Sequence, residues 1–325
     1  MRPMPQPHML APASRQSGVA VVTALLLTTL AVTIVASVFW QQQVQVRSVE
    51  NQRLQSQTQW VLRAALDWTR IILREDARTT AVDQLGEAWA TPLPETHLDD
   101  YADSNSAVTL TGYVIDAQSR YNLSDLAQGG VPDPVEIAVY ARLLASLKLN
   151  AGLAQTTALA IATTQVMTPQ VPAKGTTPAQ APATPPVESR AKAAQLLHLE
   201  DLISIPGYSP AVIDKLKDYA VILPVPTPVN VNTAGREVLA AKLNLSRETA
   251  ANLVAMRDRA YFVSPVDFQT RAQTGSSADE NSIDVKTDYF MVYSKVQMGK
   301  ADLAMQALIY RKKTGNTTIM WLREY

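Results

Sequence analysis

The hydrophobic pattern of this chain opens with an uninterrupted apolar stretch, VAVVTALLLTTLAVTIVASVFW, at residues 19–40. These 22 residues carry no charge. At about 1.5 Å per residue, a helix of this length extends about 33 Å, enough to cross a hydrocarbon core of about 30 Å. Arg2 and Arg15 precede the stretch and no acidic residue does. By the positive-inside rule, the sequence predicts a single membrane span with a cytoplasmic N-terminus and the bulk of the chain on the periplasmic side.

Helical periodicity continues beyond the apolar stretch to about residue 79. Leu54, Val61, Ala65, Trp68 and Ile72 recur at spacings of seven, four, three and four, which places them on one helical face. We expect this face to be buried against a sheet. Counted from the start of the apolar stretch, the pattern predicts one helix of about 60 residues.

Period-two alternation marks strands on both sides of a helical middle region. β-Strands are predicted at residues 108–116, 289–297, 302–313 and 317–325, with Gly315-Asn316 as a hairpin turn. The residues between the first and second of these strands are predominantly helical in pattern. Within them, residues 168–187 hold six prolines, which exclude regular structure and predict a mobile surface loop.

Two helix-turn-helix units are predicted within the helical middle region. Pro206-Gly207 forms the turn of the first unit. In the second, Asn232 or Thr233 is expected to cap one helix and Ser246 the next. Such units resemble helix-hairpin-helix modules that bind DNA, so a membrane-tethered DNA-binding protein is the alternative interpretation. Residues 190–270 hold nine basic and eight acidic residues, which argues against phosphate binding.

Composition excludes several function classes. The 29 basic and 29 acidic residues cancel, and the absence of cysteine removes disulfides, thiolate catalysis and cysteine-ligated zinc. None of the three histidines, His8, His97 and His198, stands in a metal-ligand or nucleophile motif. The sequence therefore indicates a protein that is not an enzyme.

The junction before the apolar stretch resembles a class III, type IV pilin-like leader. A basic, polar segment ends in Gly18 directly against Val19, the bond that a prepilin peptidase would cut. Alternatively, Gly18 merely ends a segment before a membrane anchor. Most pilin-family members carry glutamate at the fifth position after the cut, where this chain has Thr23. That departure fits a subunit with no neighbour above it, at a filament tip, and equally fits a simple membrane-anchored protein.

Taken together, the residues resemble the minor pseudopilin K family of bacterial type II secretion systems (general secretion pathway protein K, GspK). The resemblance covers nearly the whole chain after the leader. It rests on the Gly18 junction with Thr23 and on four segments, ENQRLQSQTQWVLRAALDWTRIILRED (50–76), DAQSRYNL (116–123), PVNVNTA (228–234) and TDYF (287–290).

The resemblance implies an α+β fold in which a long pilin-like N-terminal helix packs on an antiparallel sheet. An all-α domain with helix-hairpin-helix-like units is inserted between the strands. The implied parts are a leader removed by prepilin peptidase (1–18), the transmembrane part of the helix (19–40), the first part of the pilin-like domain (41–125), the inserted domain with its Pro-rich loop (126–280) and the C-terminal strands (281–325).

The implied function is that of a minor pseudopilin in the bacterial inner membrane, with its globular part in the periplasm. It would cap the pseudopilus tip and initiate assembly, supporting export of folded proteins across the outer membrane. The implied partners are minor pseudopilins I and J, major pseudopilin G, prepilin peptidase and the inner-membrane secretion platform, and not nucleic acid. Methylation of Val19 is a further expectation.

Calcium binding is also implied by the resemblance. Calcium takes about six to eight oxygen ligands from a flexible loop. The acidic stretch near the end of the helical region offers Asp267, Asp279, Glu280, Asp284 and Asp288. These are the predicted ligands, although no spaced calcium motif is present and a solvated acidic loop is the alternative.

Overall fold

The computed structural model describes residues 17–98, 108–165, 196–272, 282–299 and 301–325. The α-helices in these ranges are α1 (Ser17–Thr79), α2 (Pro134–Ser146), α3 (Leu153–Thr164), α4 (Pro210–Leu216), α5 (Arg236–Lys242), α6 (Arg247–Arg259) and α7 (Pro265–Ala272). The strands are β1 (Leu93–His97), β2 (Val108–Asp116), β3 (Tyr121–Asn122), β4 (Ala127–Gln128), β5 (Val131–Pro132), β6 (Ala220–Val221), β7 (Val229–Asn230), β8 (Ile283–Asp284), β9 (Tyr289–Met298), β10 (Ala301–Arg311) and β11 (Thr317–Glu324). The predicted Pro-rich loop at 168–187 lies outside the described residues.

Two compact units divide the chain, Met1–Gln57 and Thr58–Tyr325. The described residues of the first unit are helical throughout and belong to α1. Their N-terminal portion is long and apolar enough to cross a membrane. The prediction of one continuous helix of about 60 residues is confirmed, since α1 contains 63 residues.

The second unit is built on an antiparallel five-stranded sheet with strand order β1-β2-β9-β10-β11. β2 pairs with β9 in unbroken register from Val108↔Met298 to Asp116↔Phe290. Although β2 and β9 are neighbours in the sheet, helices α2 to α7 all lie between them in sequence. The predicted insertion of a helical region between strands is therefore confirmed.

Strand boundaries agree closely with the alternation in the sequence. β2 has the predicted bounds, and the last three strands begin or end within two residues of theirs. In the hairpin turn, Gly315 takes a positive φ of 83°. Residues with a side chain rarely adopt this left-handed conformation, so glycine suits the turn.

The buried face of α1 in the second unit differs from the predicted face. Leu62, Leu66 and Leu73 are the buried apolar residues of this segment, whereas Trp68 is 65% exposed. Val61, Ala65 and Ile72 are half-buried at the margin. The predicted face is offset from the buried face because the apolar arc of α1 is wider than the part that one sheet can cover. Periodicity alone therefore could not locate the buried part of this arc.

The inserted region is mostly helical but not entirely so. Parallel two-residue ladders join β3 to β6 and β7 to β8, and an antiparallel one joins β4 to β5. The insert is thus helical, with these two-residue ladders beside its helices. Buried leucines and aromatic rings form its core, where Tyr121 and Tyr140 stack with ring centroids 5.5 Å apart.

One predicted helix cap is confirmed and one is wrong. The Ser246 hydroxyl accepts a hydrogen bond from the Thr249 amide at 3.1 Å and caps α6. Helix α5 instead starts after Gly235, with no side-chain cap. Asn232 and Thr233 are engaged elsewhere, because the Asn232 amide bonds the backbone of Phe262 and the Thr233 hydroxyl donates to Asp116.

Candidate functional sites at the anchor and in the polar core

The predicted processing residues lie at the start of α1. Gly18 and Val19 fall in its first turn, and the leader before Ser17 lies outside the described residues. Cleavage between Gly18 and Val19 therefore stays a prediction.

Thr23 is satisfied within its own helix. Its hydroxyl donates to the carbonyl oxygens of Val19 and Ala20, each at 3.0 Å. The hydroxyls of Thr28, Thr29 and Thr33 donate in the same way to carbonyls three or four residues earlier. Because a polar group in lipid is costly when unpaired, these bonds let the apolar segment cross a membrane without polar partners from other chains.

Three of the five predicted calcium ligands are described. The Asp267 carboxylate accepts from the Val263 amide at 3.1 Å and pairs with Arg271 at 3.3 Å. Asp284 accepts from the amide of Val285 at 2.7 Å. Burial raises the pKa of Asp288, and the nearby charges of Asp83 and Asp284 add to this rise against the lowering effect of Lys313 and Arg311.

The other two predicted ligands, Asp279 and Glu280, lie outside the described residues. Of the three described residues, Asp267 is already paired with an arginine. Calcium ligation by this set stays a prediction.

A different acidic group, which the sequence did not predict, is buried in the second unit. Carboxylate oxygens of Asp76, Asp83 and Glu87 lie within 4.8 Å of one another. The guanidinium of Arg311 is buried among them, donating to Asp76 at 2.6 Å, to Asp83, and to the carbonyls of Leu73 at 3.4 Å and Thr287 at 3.0 Å. We refer to Arg311, Asp76, Asp83 and Glu87 as the Arg311 cluster.

Arg311 offsets part of the negative charge in the Arg311 cluster. Burial raises the pKa of Asp76 to about 6, with Glu87 adding to the rise and Arg311 opposing it. Burial alone would lower the pKa of Arg311, but its pairs with Asp83 and Asp76 raise it. A divalent cation here would be repelled by the guanidinium already bonded to two of the three carboxylates, so these residues do not fit a calcium site.

The Arg311 cluster continues into a second set of buried hydrogen bonds around Asp116. Asn230 donates to the Asp116 carboxylate at 2.9 Å and to the Asp83 carbonyl at 3.0 Å. The Asp83 carboxylate in turn accepts from the Thr287 amide at 2.8 Å. Burial raises the pKa of Asp116 to about 6.

Gln118 adds two further hydrogen bonds to this set. Its side chain donates to the Pro228 carbonyl at 3.0 Å and accepts from the Asp288 amide at 2.7 Å. Segments 116–123, 228–234 and 287–290, on which the family resemblance rested, thus meet in one polar junction between the sheet and the helical insert. The junction aligns these parts of the fold, and the carboxylates of Asp83 and Asp116 in it accept hydrogen bonds.

The helical insert contains a second buried ionic group. The Lys242 ammonium bonds Glu136 at 2.7 Å, lies 3.6 Å from Asp125 and sits 5.6 Å from the centroid of the Tyr121 ring. Burial raises the pKa of Asp125 to about 7 against the lowering effect of Lys242. We refer to these four residues as the Lys242 cluster.

The sequence contained a partial signal for these clusters. Asp76 lies three residues after Leu73 and so falls on the buried face of α1, where a carboxylate requires a partner. Nothing near Asp76 in sequence indicates that Arg311, 235 positions away, supplies it.

Comparisons with known proteins agree on one family. The family model described as "Type II secretion system (T2SS), protein K" matches in two parts, residues 119–225 and 229–286. A curated relative, Type II secretion system protein K of Pseudomonas aeruginosa strain PAO1, is 32% identical and covers 94% of this chain and 92% of the relative.

A solved structure shares the fold. It is a chain of the GspK-GspI-GspJ complex from the type 2 secretion system of enterotoxigenic Escherichia coli, with a TM-score of 0.64 and 18% identity. The alignment covers 85% of this chain and 99% of that chain.

Proposed function

This chain belongs to the type II secretion system protein K family, and on that premise we propose that it is a minor pseudopilin that caps the periplasmic tip of the pseudopilus. In this role it initiates the filament together with minor pseudopilins I and J, before major pseudopilin G extends it. The assembly supports export of folded proteins across the outer membrane. The observation that carries the proposal is the large insert between the neighbouring strands β2 and β9.

The size of the insert favours the tip. The connection between β2 and β9 spans residues 117–288. The described residues of this connection number 133. A compact body of about 130 residues has a radius of gyration of about 14 Å, so it adds substantial bulk to a pilin-like subunit. Such a subunit is accommodated more easily at the end of a filament than between stacked neighbours.

The threonine at residue 23 also favours a place at the filament tip. A glutamate at this depth would need a cation from an adjacent subunit, and an unpaired carboxylate in low dielectric costs several kcal/mol. The Thr23 hydroxyl is instead satisfied by backbone oxygens of its own helix. A terminal subunit therefore needs no neighbour to neutralise this position.

The anchor and its processing complete the proposal. Residues 19–40 span the inner membrane, with the globular part in the periplasm and contacts to the inner-membrane secretion platform. Prepilin peptidase cuts between Gly18 and Val19, and Val19 is then methylated. Mass spectrometry of the mature N-terminus tests this step, because Met1 retained in the mature protein would contradict it.

Calcium binding is part of the proposal on the basis of the family and of the acidic character of this stretch, in which the charge of Asp284 helps to raise the pKa of Asp288. Calcium would offset the repulsion that Asp284 exerts on Asp288 by supplying positive charge to both carboxylates. A rise in the melting temperature of chelator-treated protein on adding calcium, lost in Asp284→Asn/Asp288→Asn, would support it. No shift with calcium would contradict it.

Immunogold labelling tests the tip position. In cells that overproduce the major pseudopilin, an epitope-tagged full-length chain should label one end of each pseudopilus. Label distributed along the filament would contradict capping. A matched strain carrying the tag on the major pseudopilin should show label along the whole length and serves as the control.

A further inference from the structure

The Lys242 cluster holds an amine and two carboxyl groups in a site shielded from solvent. The side chains of Lys242 and Asp125 are only 3% and 7% exposed, and that of Glu136 is 15% exposed. Asp125 lies between Leu123 and Leu126, which are fully buried. Charges in such surroundings lose the hydration that favours them in water. A reaction that removes these charges is therefore helped by burial.

The two carboxyl groups face the Lys242 amine in different ways. Glu136 Oε1 accepts a hydrogen bond from Lys242 Nζ at 2.7 Å, a distance at which a proton can pass directly between the two groups. Asp125 Oδ2 lies 3.6 Å from the same nitrogen. One carboxyl group is thus placed to take a proton from the amine, and the other is placed beside it as a reaction partner.

The other oxygen of Asp125 is held by the backbone. The Thr227 amide donates to Asp125 Oδ1 at 3.0 Å. Asn122 fixes the loop that carries this amide, since its side chain donates to the Val225 carbonyl at 2.8 Å and to the Thr227 hydroxyl at 3.1 Å. A backbone donor on a carbonyl oxygen is the arrangement that stabilises the oxyanion of an acyl-transfer step.

Tyr121 orients the remaining groups of the cluster. Its hydroxyl donates to Glu136 Oε2 at 3.0 Å, which leaves Oε1 for the amine. Its ring centroid lies 5.6 Å from Lys242 Nζ. The amine and the carboxylate that would take its proton are therefore both positioned by one aromatic side chain.

The protonation of Asp125 suits the loss of one of its oxygens as water. Burial raises the pKa of Asp125 to about 7, although the charge of Lys242 opposes the rise. At neutral pH a large share of these carboxyl groups therefore carries a proton. Because Oδ1 accepts from the Thr227 amide, the proton belongs on Oδ2, the oxygen that faces Lys242.

We propose that the side chains of Lys242 and Asp125 become joined by an amide bond, with Glu136 as the catalytic base. The Lys242 ammonium gives one proton to Glu136, and the resulting amine attacks Cγ of the protonated Asp125 carboxyl. The Nζ–Cγ bond forms while the Thr227 amide stabilises the negative charge on Oδ1. The Cγ–Oδ2 bond then breaks, and Oδ2 leaves as water with its own proton and a second proton from the nitrogen. Glu136 keeps the first proton.

Fixed positions replace the activated acid that amide formation needs in solution. Well-oriented groups within one molecule react as if their concentration were several powers of ten above any that solution allows. The product is a neutral amide in place of a buried ion pair, and burial favours that exchange.

The bond closes a covalent loop between the start of the helical insert and the end of α5. This chain has no cysteine, so a disulfide cannot provide such a link. The amide restricts the unfolded chain in the way that a disulfide does, and it is not cleaved by reduction. Its formation is independent of the role proposed for the chain at the pseudopilus tip.

Mass spectrometry of the purified full-length chain tests the bond. Under denaturing conditions the linked chain should be lighter than its mature sequence by the mass of one water molecule. Trypsin should release a branched peptide in which residues 121–142 are joined to residues 237–247, uncut after Lys242. A chain of full mass that yields the two peptides separately would overturn the proposal. Fragmentation that places the link at Glu136 rather than Asp125 would overturn the assignment of the base.

An exposed ion pair provides an internal control in the same digest. Lys295 Nζ and Asp302 Oδ2 are 2.9 Å apart, closer than the atoms of Lys242 and Asp125, but both side chains are more than half exposed. Peptides that contain this pair should be unlinked. A link at Lys295 would show that contact alone suffices, and it would contradict the role given to the buried site.

Two substitutions separate the base from the reacting groups. Glu136→Gln should leave the chain at its full mass, because glutamine cannot take the proton although Lys242 and Asp125 are both present. Glu200→Gln, at an exposed carboxylate, should lose one water like the wild type. Cooperative thermal unfolding of Glu136→Gln shows that the variant is folded. A folded Glu136→Gln chain that is linked as fully as the wild type would contradict the assignment.

Chains that have not reacted keep the ion pair and a titratable Asp125 carboxyl. The intact mass gives the fraction of each form in a preparation, so the stability and pH dependence of the ionic form are measured on unlinked protein. The wild-type mass decides the proposal even if Glu136→Gln fails to fold.

Discussion

The Arg311 cluster and the Lys242 cluster each bury one cation among carboxylates, but they join different parts of the molecule. Arg311 donates to groups on α1, on the residues that follow it and on the segment before β9. Lys242 links α5 to Glu136 of α2 and to Asp125, all within the helical insert. A guanidinium offers a fixed fork of donors, whereas an ammonium acts as a compact charge.

At Arg311 the fold depends on the directions of hydrogen bonds, whereas at Lys242 it depends on charge. Three chain segments meet at Arg311, and they are held by the directions of its hydrogen bonds. The Lys242 cluster lies among helices already packed through a shared apolar core. Substitutions at the two cations should therefore differ in cost.

The largest effect is expected for Arg311→Met. This change leaves Asp76 and Asp83 buried without their cation, and breaking a buried ion pair in this way costs about 3–5 kcal/mol. Thermal and urea unfolding of the full chain in detergent measure the loss. Arg323→Met, at an exposed arginine paired with Glu200, should change stability by less than about 0.5 kcal/mol. Equal costs for the two variants would contradict the role of the Arg311 cluster.

A smaller effect is expected for Lys242→Met, about 2–3 kcal/mol, since removing one partner of a buried charge pair is destabilising. The loss is smaller because Asp125, with its raised pKa, can take up a proton when the ammonium is removed. The same unfolding experiments measure it, with the exposed Lys295→Met as an unaffected control. A cost above that of Arg311→Met would reverse the comparison.

A third expected effect, which needs no substitution, is a dependence of stability on pH. The pKa of Asp125 is raised to about 7, and those of Asp76 and Asp116 to about 6, while in the unfolded chain each lies near about 4. Between these values the folded state binds more protons than the unfolded state. These three groups therefore make stability fall as pH rises from about 4 to about 7.

Melting temperatures at pH 5, 6 and 7 measure this dependence. Asp125→Asn should flatten the part of the curve between pH 6 and 7, because it removes the group that titrates there. Asp214→Asn, at an exposed carboxylate, should leave the slope unchanged. A slope that Asp125→Asn does not alter would assign the dependence to the Arg311 cluster and Asp116 instead.

Much of the fold could be predicted from the sequence because its periods are strong. The bounds of β2 were predicted without error, and α1 has the expected length. The Asn232 and Thr233 cap failed for a physical reason. Both residues have the side chains of a helix cap, but the structure uses them to bond Phe262 and Asp116, which are distant in sequence.

The candidate sites were less predictable. Gly18, Val19 and Thr23 could be chosen because leader, junction and apolar helix are contiguous in sequence. The Arg311 cluster could not, because its members come from positions as far apart as Asp76 and Arg311 and no local pattern relates them. The proposed calcium residues fall between these cases, as they share one acidic stretch but their joint geometry depends on how the loop folds.

The sequence by itself determined the membrane helix, the strands and the family, because each depends on the order of neighbouring residues and on their periodicity. Only the tertiary structure decided which apolar face of α1 is covered and which remains exposed. It also decided which cation neutralises each buried carboxylate. Both the covered face of α1 and the buried ion pairs depend on β9 to β11 joining the sheet beside β2, after the whole helical insert. Contacts between such distant positions leave no local pattern in the sequence.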